Sequence, residues 1–286
     1  PFTLDLITQV GWSSDWKGSI PEWTSFFVDW PFGLTFTSAH PVYDPVEDKC
    51  IFPNWGMKFT GVMAAMSNGY INLLTWDGEG DLYRSRLIKY DWLNQKQDLN
   101  VDMSIHQMAV TSHHIIIMDT AFQSEVEDVM GLGDGSMRPQ KDVTKLFIFE
   151  KQYLNSTETT MADITPLIVE IPRESAHFFA EYDSSDNILK LHVGHQCASD
   201  PSEFIKEGDI CAVTGELIPN DLHGMLVATT DIGVLGRYDV NAQTGAIIDQ
   251  KIVYNECLYG GPSLYTFRGN HHLEPGNSLW WLSFGL

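Results

Sequence analysis

The feature that most constrains the fold of this chain is the repeated alternation of short apolar runs with turn signals. Asn68-Gly69 precedes the apolar run from Tyr70 to Trp76, and the polar residues 183–187 separate two further runs. The β-branched triplet Ile115-Ile116-Ile117 is typical of a buried strand. No long stretch keeps the period of an amphipathic helix. We therefore predict an all-β fold, and this spacing favours an antiparallel propeller or a sandwich.

The length of the chain fits such an architecture. With 286 residues it is long for one ordinary domain but normal for a barrel or a propeller. We predict a single domain over residues 1–286. Because the sequence opens at Pro1 without a methionine and closes on the apolar stretch 280–286, we also expect it to be a fragment of a longer protein.

The charge of the chain argues against one class of partner. It carries 17 basic and 38 acidic residues, for a formal net charge of −21. A chain this acidic is repelled by phosphate backbones, so we predict no binding to nucleic acid.

The cysteines and the terminal regions bear on redox chemistry and compartment. Cys50, Cys197, Cys211 and Cys257 lie far apart and form no Cys-x-x-Cys pair. A zinc-thiolate or redox motif is therefore not predicted, and free thiols are the simplest interpretation. The sequence shows no signal peptide and no apolar run of transmembrane length. These features favour a cytoplasmic or plastid location over secretion.

Three histidines share a local context that points to a common role. Each occupies the third position of a Ser-x-His triplet, at His40, His106 and His177. The gaps are similar, since 106 − 40 is 66 residues and 177 − 106 is 71 residues. Such gaps are too long for a zinc-finger clip but suit ligands that successive units of a repeated β architecture deliver to one axis. A lone histidine beside a strand is ordinarily a hydrogen-bonded structural residue. The hypothesis of a metal site therefore depends on the threefold occurrence of the Ser-x-His triplet.

The donor set leaves the identity of the metal open. Three neutral imidazoles suit zinc, iron, copper or nickel by ligand type. No property of the three triplets selects one of these ions.

Three segments around these histidines together resemble one known family. They are His-Pro-x-x-Asp-Pro at 40–45, His-x-x-Ala-x-Thr at 106–111 ahead of a strand ending in Asp119, and His177 with Asp183 six residues later. Their order and spacing resemble the carotenoid cleavage oxygenases, which include apocarotenoid- and stilbene-cleaving dioxygenases and a retinoid isomerohydrolase. The resemblance extends over nearly all of the chain. It implies a seven-bladed β-propeller, of which this chain would be an incomplete part.

The resemblance also implies an activity and a cofactor. It implies a non-haem Fe(II) dioxygenase that uses O₂ to split a conjugated C=C bond of a carotenoid, apocarotenoid or stilbene-like substrate into two carbonyl products. His40, His106 and His177 would be metal ligands. The substrate would be lipophilic, and many relatives take theirs from membranes, so peripheral membrane contact is an expectation. The sequence does not fix the oligomeric state.

The resemblance also implies a fourth histidine ligand and a supporting glutamate. The family uses four histidines, and we expect the fourth to lie outside this sequence. Within the chain the weaker candidates are His223, which precedes a glycine, and the adjacent His271 and His272. Glu256 matches a family glutamate that accepts the second ring N–H of a ligand, although a surface acid is an equal alternative.

The surroundings of His177 depart from the family as well. Ala180 and Glu181 stand where relatives carry Asn-Ala. This departure affects how the segment after His177 is supported and not the role of His177 as a ligand. The adjacent aromatic residues Phe178 and Phe179 are candidate pocket residues, with ordinary strand packing as the alternative.

Two other functions stay open at this stage. One is a family isomerase that uses the metal as a Lewis acid. The other is a β-propeller that binds a ligand or protein without metal, and failure of the three histidines to converge would favour it.

Overall fold

The computed structural model describes most of the chain and divides it into two compact units. The described residues are 2–4, 11–13, 36–38, 40–56, 69–78, 82–121, 141–154, 161–175, 177–196, 205–211, 213–225, 234–253, 259–265 and 280–284. For 2–4, 11–13, 259–265 and 280–284 the description is of the backbone. The first unit comprises Pro1–Asn100 and Glu150–Pro166, and the second comprises Val101–Phe149 and Leu167–Leu286. A single domain over residues 1–286 stays a prediction.

The first unit is built around one open sheet. The strands of the unit are β1 (Phe2–Leu4), β2 (Gly11–Ser13), β3 (Phe36–Thr37), β4 (Val42–Asp44), β5 (Lys49–Gly56), β6 (Tyr70–Trp76), β7 (Tyr83–Tyr90), β8 (Lys96–Asp98) and β12 (Ala162–Ile164). Strands β1 and β2 pair with each other, antiparallel, apart from this sheet. The sheet runs in the order β12-β7-β6-β5-β3, with β4 also paired to β5 and β8 to β7. All of these pairs are antiparallel except β12 with β7, which is parallel. The central strand β6 is buried from Ile71 onward, as its apolar sequence requires.

Charged groups hold the edges of this sheet. Asp163 on β12 accepts hydrogen bonds from Arg86 on β7, at 3.0 Å from Nη2, and from Lys96 at the start of β8. Buried Lys151, in a single 3₁₀ turn, pairs with buried Asp44 at the end of β4. Burial of two charges is tolerated only when they are paired in this way.

The second unit contains two four-stranded sheets and a separate strand pair. Its strands are β9 (Met108–Val110), β10 (His114–Met118), β11 (Val143–Glu150), β13 (Leu167–Pro172), β14 (His177–Asp183), β15 (Ile188–His195), β16 (Val234–Asn241), β17 (Ile247–Val253), β18 (Tyr259–Tyr265) and β19 (Trp280–Phe284). One sheet has the order β13-β11-β10-β9, the other the order β14-β15-β16-β17, and β18 pairs with β19. Over the residues that the structure describes, neither four-stranded sheet closes on itself.

A hydrophobic core of described residues joins the two four-stranded sheets. Alternate residues of β10, β11, β13, β14, β15 and β16 face it, because side chains of a strand point to opposite sides in turn. Its buried members are Ile116, Met118, Leu146, Ile148, Val169, Ile171, Phe178, Ala180, Leu189, Leu191, Val193, Tyr238 and Val240. The triplet Ile115-Ile116-Ile117 lies on β10 and is fully buried, as predicted.

The all-β fold class predicted from the sequence is confirmed. Within the described ranges every regular element is a strand apart from two single-turn 3₁₀ segments. Separate, open antiparallel sheets of about four strands are the units from which propellers are built. The number of blades stays a prediction. None of the described residues forms a helix that is both long and apolar enough to cross a lipid bilayer.

Candidate metal centre

The backbone leading to His106 is held by two residues that follow strand β10. The carboxylate of Asp119 accepts hydrogen bonds from the backbone N–H groups of Asp102 at 2.8 Å, Met103 at 2.9 Å and Ser104 at 3.2 Å. Thr120 Oγ1 accepts the backbone N–H of His106 at 3.1 Å. Both side chains are buried. The segment 102–106 therefore has a defined path although it is not part of a long strand.

The Asp119 carboxylate, which holds this loop, is itself buried. It is 1% exposed, and burial raises its pKa to about 6. The backbone N–H donors of Asp102 and Met103 oppose this shift because they stabilise the carboxylate. Burial outweighs them, so a negative charge here is costly to the folded state.

His177 opens strand β14, in the other four-stranded sheet. Its register partner is Gly194 on β15. Because side chains alternate along a strand, His177 and Phe179 share one face, while Phe178 and Ala180 enter the core on the opposite face. His177 is half-buried, which leaves its ring close to the surface of the sheet.

The segment immediately before His177 is anchored by a buried histidine of β15. His195 Nδ1 lies 3.1 Å from Ser175 Oγ and 3.1 Å from the carbonyl oxygen of Glu174, and its Nε2 lies 2.8 Å from the hydroxyl of Tyr238. Burial lowers the pKa of His195 to about 4 and raises that of Tyr238 to about 12. Both groups are therefore neutral near pH 7. Gly236 makes room for them, since a Cβ there would lie 2.5 Å from His195 Nε2.

The imidazoles of His106 and His177 face each other. Their Nε2 atoms are 3.2 Å apart, the ring centroids are 5.0 Å apart, and the ring planes meet at 79°. The two residues are 71 positions apart in sequence and come from different sheets. The fold thus brings together two of the three predicted ligands through the same ring nitrogen.

This pair meets the distance required of two ligands on one metal ion. A metal–nitrogen bond of about 2.1 Å places two nitrogens about 3.0 Å apart at a right angle and about 3.4 Å apart at a tetrahedral angle. The observed 3.2 Å lies between these values. It is also the distance of a hydrogen bond between two neutral imidazoles of complementary tautomers. The donor set and spacing therefore fit a metal that favours imidazole, such as iron or zinc.

His40 belongs to the first unit. It lies between strands β3 and β4, is exposed, and its backbone N–H donates to Ser38 Oγ at 3.0 Å. Ser38 is the first residue of the Ser-x-His triplet, so the recurring serine shapes the local turn here. The following Asp44 is buried against Lys151 and also accepts the backbone N–H of Val46.

The other predicted site residues fall into two groups. Glu256, His271 and His272 lie outside the described residues, so their roles stay predictions. His223 caps a 3₁₀ turn and is half-exposed. It is not part of the histidine group that could hold an ion among the described residues.

The two candidate pocket residues differ in their surroundings. Phe178 is 1% exposed and packs in the core of the second unit. Phe179 lies on the face of His177 and is half-buried, with its ring centroid 6.3 Å from that of His192. A pocket role for either residue stays a prediction.

Sequence reasoning missed the residues that fix the ligands in place. Gln107 accepts the backbone N–H of Phe178 through its side chain, and Thr120 and His195 brace the segments before the two ligands. The sequence signal for Gln107 is its position directly after His106. Its partner, 71 residues away, leaves no local pattern.

Comparisons with known proteins place similar structures in the family that the motifs resemble. No protein family matches the sequence, and no curated protein matches it significantly. Among solved structures, a mutant of ACO, the apocarotenoid oxygenase of Synechocystis, is 15% identical with a TM-score of 0.46. The match covers 87% of this chain and 45% of that chain. The lignostilbene dioxygenase of Pseudomonas brassicacearum is 12% identical with a TM-score of 0.42, over 74% of this chain and 36% of that one.

These matches are partial as well as distant. This chain spans less than half the length of the solved structures that it matches. Similarity at this level does not assign an activity to it. The solved structures that it matches carry the names of oxygenases of the kind that the sequence motifs resemble.

Proposed function

We propose that this chain supplies His40, His106 and His177 to a non-haem Fe(II) centre that cleaves a conjugated C=C bond with O₂. The substrate would be a carotenoid, an apocarotenoid or a stilbene-like molecule. Each product carbonyl takes one oxygen atom of O₂, so the reaction balances without an external reductant. The coarser statement, similarity to oxygenases of this family, rests on the comparisons above.

One observation carries the proposal. Two half-buried imidazoles from different sheets direct the same nitrogen at each other, 3.2 Å apart. Folding gains little from placing two polar rings in this position, since each could be solvated separately. A shared metal ion provides a reason for the arrangement.

The third ligand, His40, is supported by its sequence context, because it ends a Ser-x-His triplet like those of His106 and His177. The remaining ligand would come from outside the described residues, where His271 and His272 also lie. Glu256 is proposed as the acceptor for the second ring N–H of one ligand.

The chemistry divides between the ion and the chain. Bound iron would supply activation of O₂ toward an electron-rich alkene, which is chemistry that amino-acid side chains lack. The chain's own residues hold and orient the imidazoles. Asp119 and Thr120 fix the approach to His106, while Ser175 and His195 fix the approach to His177. The imidazoles would be neutral ligands, so these residues would add no negative charge beside the ion.

The first test is metal analysis of the full-length protein. We expect about one iron per chain in the wild type and its loss in His106→Ala and in His177→Ala, because each variant removes one facing imidazole. His113→Ala is the matched control, since His113 is an exposed histidine that contacts Ser112. Retention of iron in both ligand variants would contradict the proposal.

A second test identifies the reaction. Apocarotenoid and stilbene substrates are incubated with the iron-loaded protein under ¹⁸O₂, and both carbonyl products are expected to carry label. Geometric isomers without label would instead identify the isomerase alternative. A wild-type protein that holds no metal would favour a binding protein.

A further inference from the structure

Gln107 occupies an unusual position, between one proposed ligand and the strand that follows it. We propose that the Gln107 side chain is the positioning element that sets the separation of the His106 and His177 imidazoles. The importance of this separation for catalysis rests on the proposed function, because the separation matters only if the two histidines hold a metal. The contact itself does not depend on that function.

The need for such an element follows from the sheet topology. His106 directly precedes Gln107 and β9, which is the last strand of the sheet β13-β11-β10-β9. His177 opens β14, which is the first strand of the sheet β14-β15-β16-β17. In the described part of the chain no β-ladder joins β9 to β14. Backbone pairing therefore fixes each ligand within its own sheet but does not fix the distance between them.

Gln107 makes the missing connection. Its Oε1 accepts the backbone N–H of Phe178 at 2.9 Å. Gln107 directly follows His106, and Phe178 directly follows His177, so the bond joins the neighbours of the two ligands. Because an N–H donor requires an acceptor, the amide oxygen must face Phe178, and the orientation of the amide is determined.

Both ends of this connection are rigid. Phe178 is 1% exposed in the core, and Met108, which follows Gln107, is 2% exposed. A second bond joins the same two regions, from the backbone N–H of Ala121 to the carbonyl oxygen of Ser175 at 2.8 Å. That bond lies on the segments that precede β14 and follow β10. The Gln107 side chain, in contrast, makes a hydrogen bond between the residues that directly follow His106 and His177.

The side-chain type suits this task. Glutamine reaches a neighbouring strand with a neutral acceptor, whereas asparagine is shorter by one methylene group. Glutamate would keep the acceptor and add a negative charge beside the proposed ion. Methionine keeps the length and shape of the side chain but removes the acceptor.

The test uses the full-length protein with cobalt(II) as a spectroscopic probe. The metal-free protein is titrated with cobalt(II), and the dissociation constant and the d–d absorption spectrum are measured for wild type, Gln107→Met and Gln107→Glu. Gln107→Met is expected to weaken binding about 10–100-fold and to change the spectrum. Gln107→Glu is expected to restore the wild-type spectrum. Gln97→Met, which removes a surface amide bonded to Asp91, is the matched control and should change neither quantity.

A metal-free measurement separates this inference from the proposed function. Long-range ¹H–¹⁵N spectra report the tautomer and protonation state of each imidazole, which depend on the contact between the two Nε2 atoms. We expect Gln107→Met to shift the signals of both His106 and His177 while the protein still unfolds in one cooperative thermal transition. If the wild type binds no cobalt, the proposed function fails, and these signals still decide the role of Gln107. Unchanged signals and unchanged cobalt binding in Gln107→Met would overturn it, as would a failure of Gln107→Glu to restore the spectrum.

Discussion

Two loops of this protein, one in each unit, are organised by a single aspartate, and they differ in burial. In the second unit, Asp119 accepts three backbone N–H groups from residues 102–104 and is 1% exposed. In the first unit, Asp91 accepts the backbone N–H groups of Leu93 and Gln95 and the side-chain amide of Gln97, at 2.8–2.9 Å. Asp91 is partly exposed and its loop is mostly in solvent.

The comparison separates the geometry of a loop from its energetic weight. At Asp91 water can replace any hydrogen bond that is lost, so the carboxylate mainly selects a turn. At Asp119 the carboxylate and the residue Met103 are buried, so water cannot readily replace the hydrogen bond between them. A carboxylate that accepts several N–H groups therefore only selects a local turn at Asp91. At Asp119 it is required for the structure of the segment that precedes a proposed ligand.

The largest effect is expected from Asp119→Ala. This change removes the acceptor of three backbone N–H groups, of which that of Met103 belongs to a buried residue, and we expect a loss of about 2–4 kcal/mol in the free energy of unfolding. Urea denaturation measures it. Asp102→Ala is the control, because it removes a partly exposed ion pair with Lys145, which is worth about 1 kcal/mol or less. Equal losses in the two variants would contradict the comparison.

The pH dependence of stability tests the same residue without disrupting the loop. Burial raises the folded-state pKa of Asp119 from 3.8 to about 6. A raised pKa means that the folded state binds the proton more tightly, so this stabilising contribution is complete below about pH 4 and is lost as the pH rises through about 6. Relative to Asp119→Asn, the wild type should gain up to about 3 kcal/mol between about pH 7 and about pH 4. Parallel stability curves for the two proteins would show that Asp119 does not titrate in this range.

A smaller effect is expected from Thr120→Val. The variant keeps the side-chain volume but removes the acceptor for the His106 N–H, and we expect about 1–2 kcal/mol of destabilisation. Thr144→Val is the control, since Thr144 is equally buried and its hydroxyl donates to the carbonyl oxygen of Arg173 instead. Calorimetry should show similar losses of stability in both. Cobalt binding should weaken only in Thr120→Val, and equal binding in the two variants would remove Thr120 from the support of His106.

The smallest effect is expected from Asp91→Ala. The released N–H groups of the turn become solvated, so the loss should stay below about 1 kcal/mol. Urea denaturation provides the value, with the wild type as reference. A loss as large as that of Asp119→Ala would break the comparison, because burial would then not decide the weight of the carboxylate.

Much of the fold could be predicted from the sequence because strand signals are local. The run at 115–117 announces a buried strand through side-chain shape alone, and turn residues mark where strands end. The recurring Ser-x-His triplet also singled out His106 and His177, whose rings face each other. A repeated context is visible in sequence even when the contact that it serves is not.

The supports of the site could not be predicted in the same way. Gln107, Thr120 and His195 act through hydrogen bonds to residues 14 to 71 positions away. No spacing rule connects such partners, because their proximity is created by sheet packing. The sequence marked Asp119 as the end of a strand, but its role as an acceptor for three N–H groups depends on the path of residues 102–104.

The parallel strand β12 has a consequence for how the protein is made. β12 belongs to the first unit, yet it follows β11 of the second unit in the chain, and it pairs with β7 through residues 162–164. During synthesis, residues 1–100 leave the ribosome long before β12 exists. The first unit cannot complete its sheet until residues 101–149 of the second have also emerged. The two units are therefore expected to mature together, and no single cut in the chain would release either of them intact.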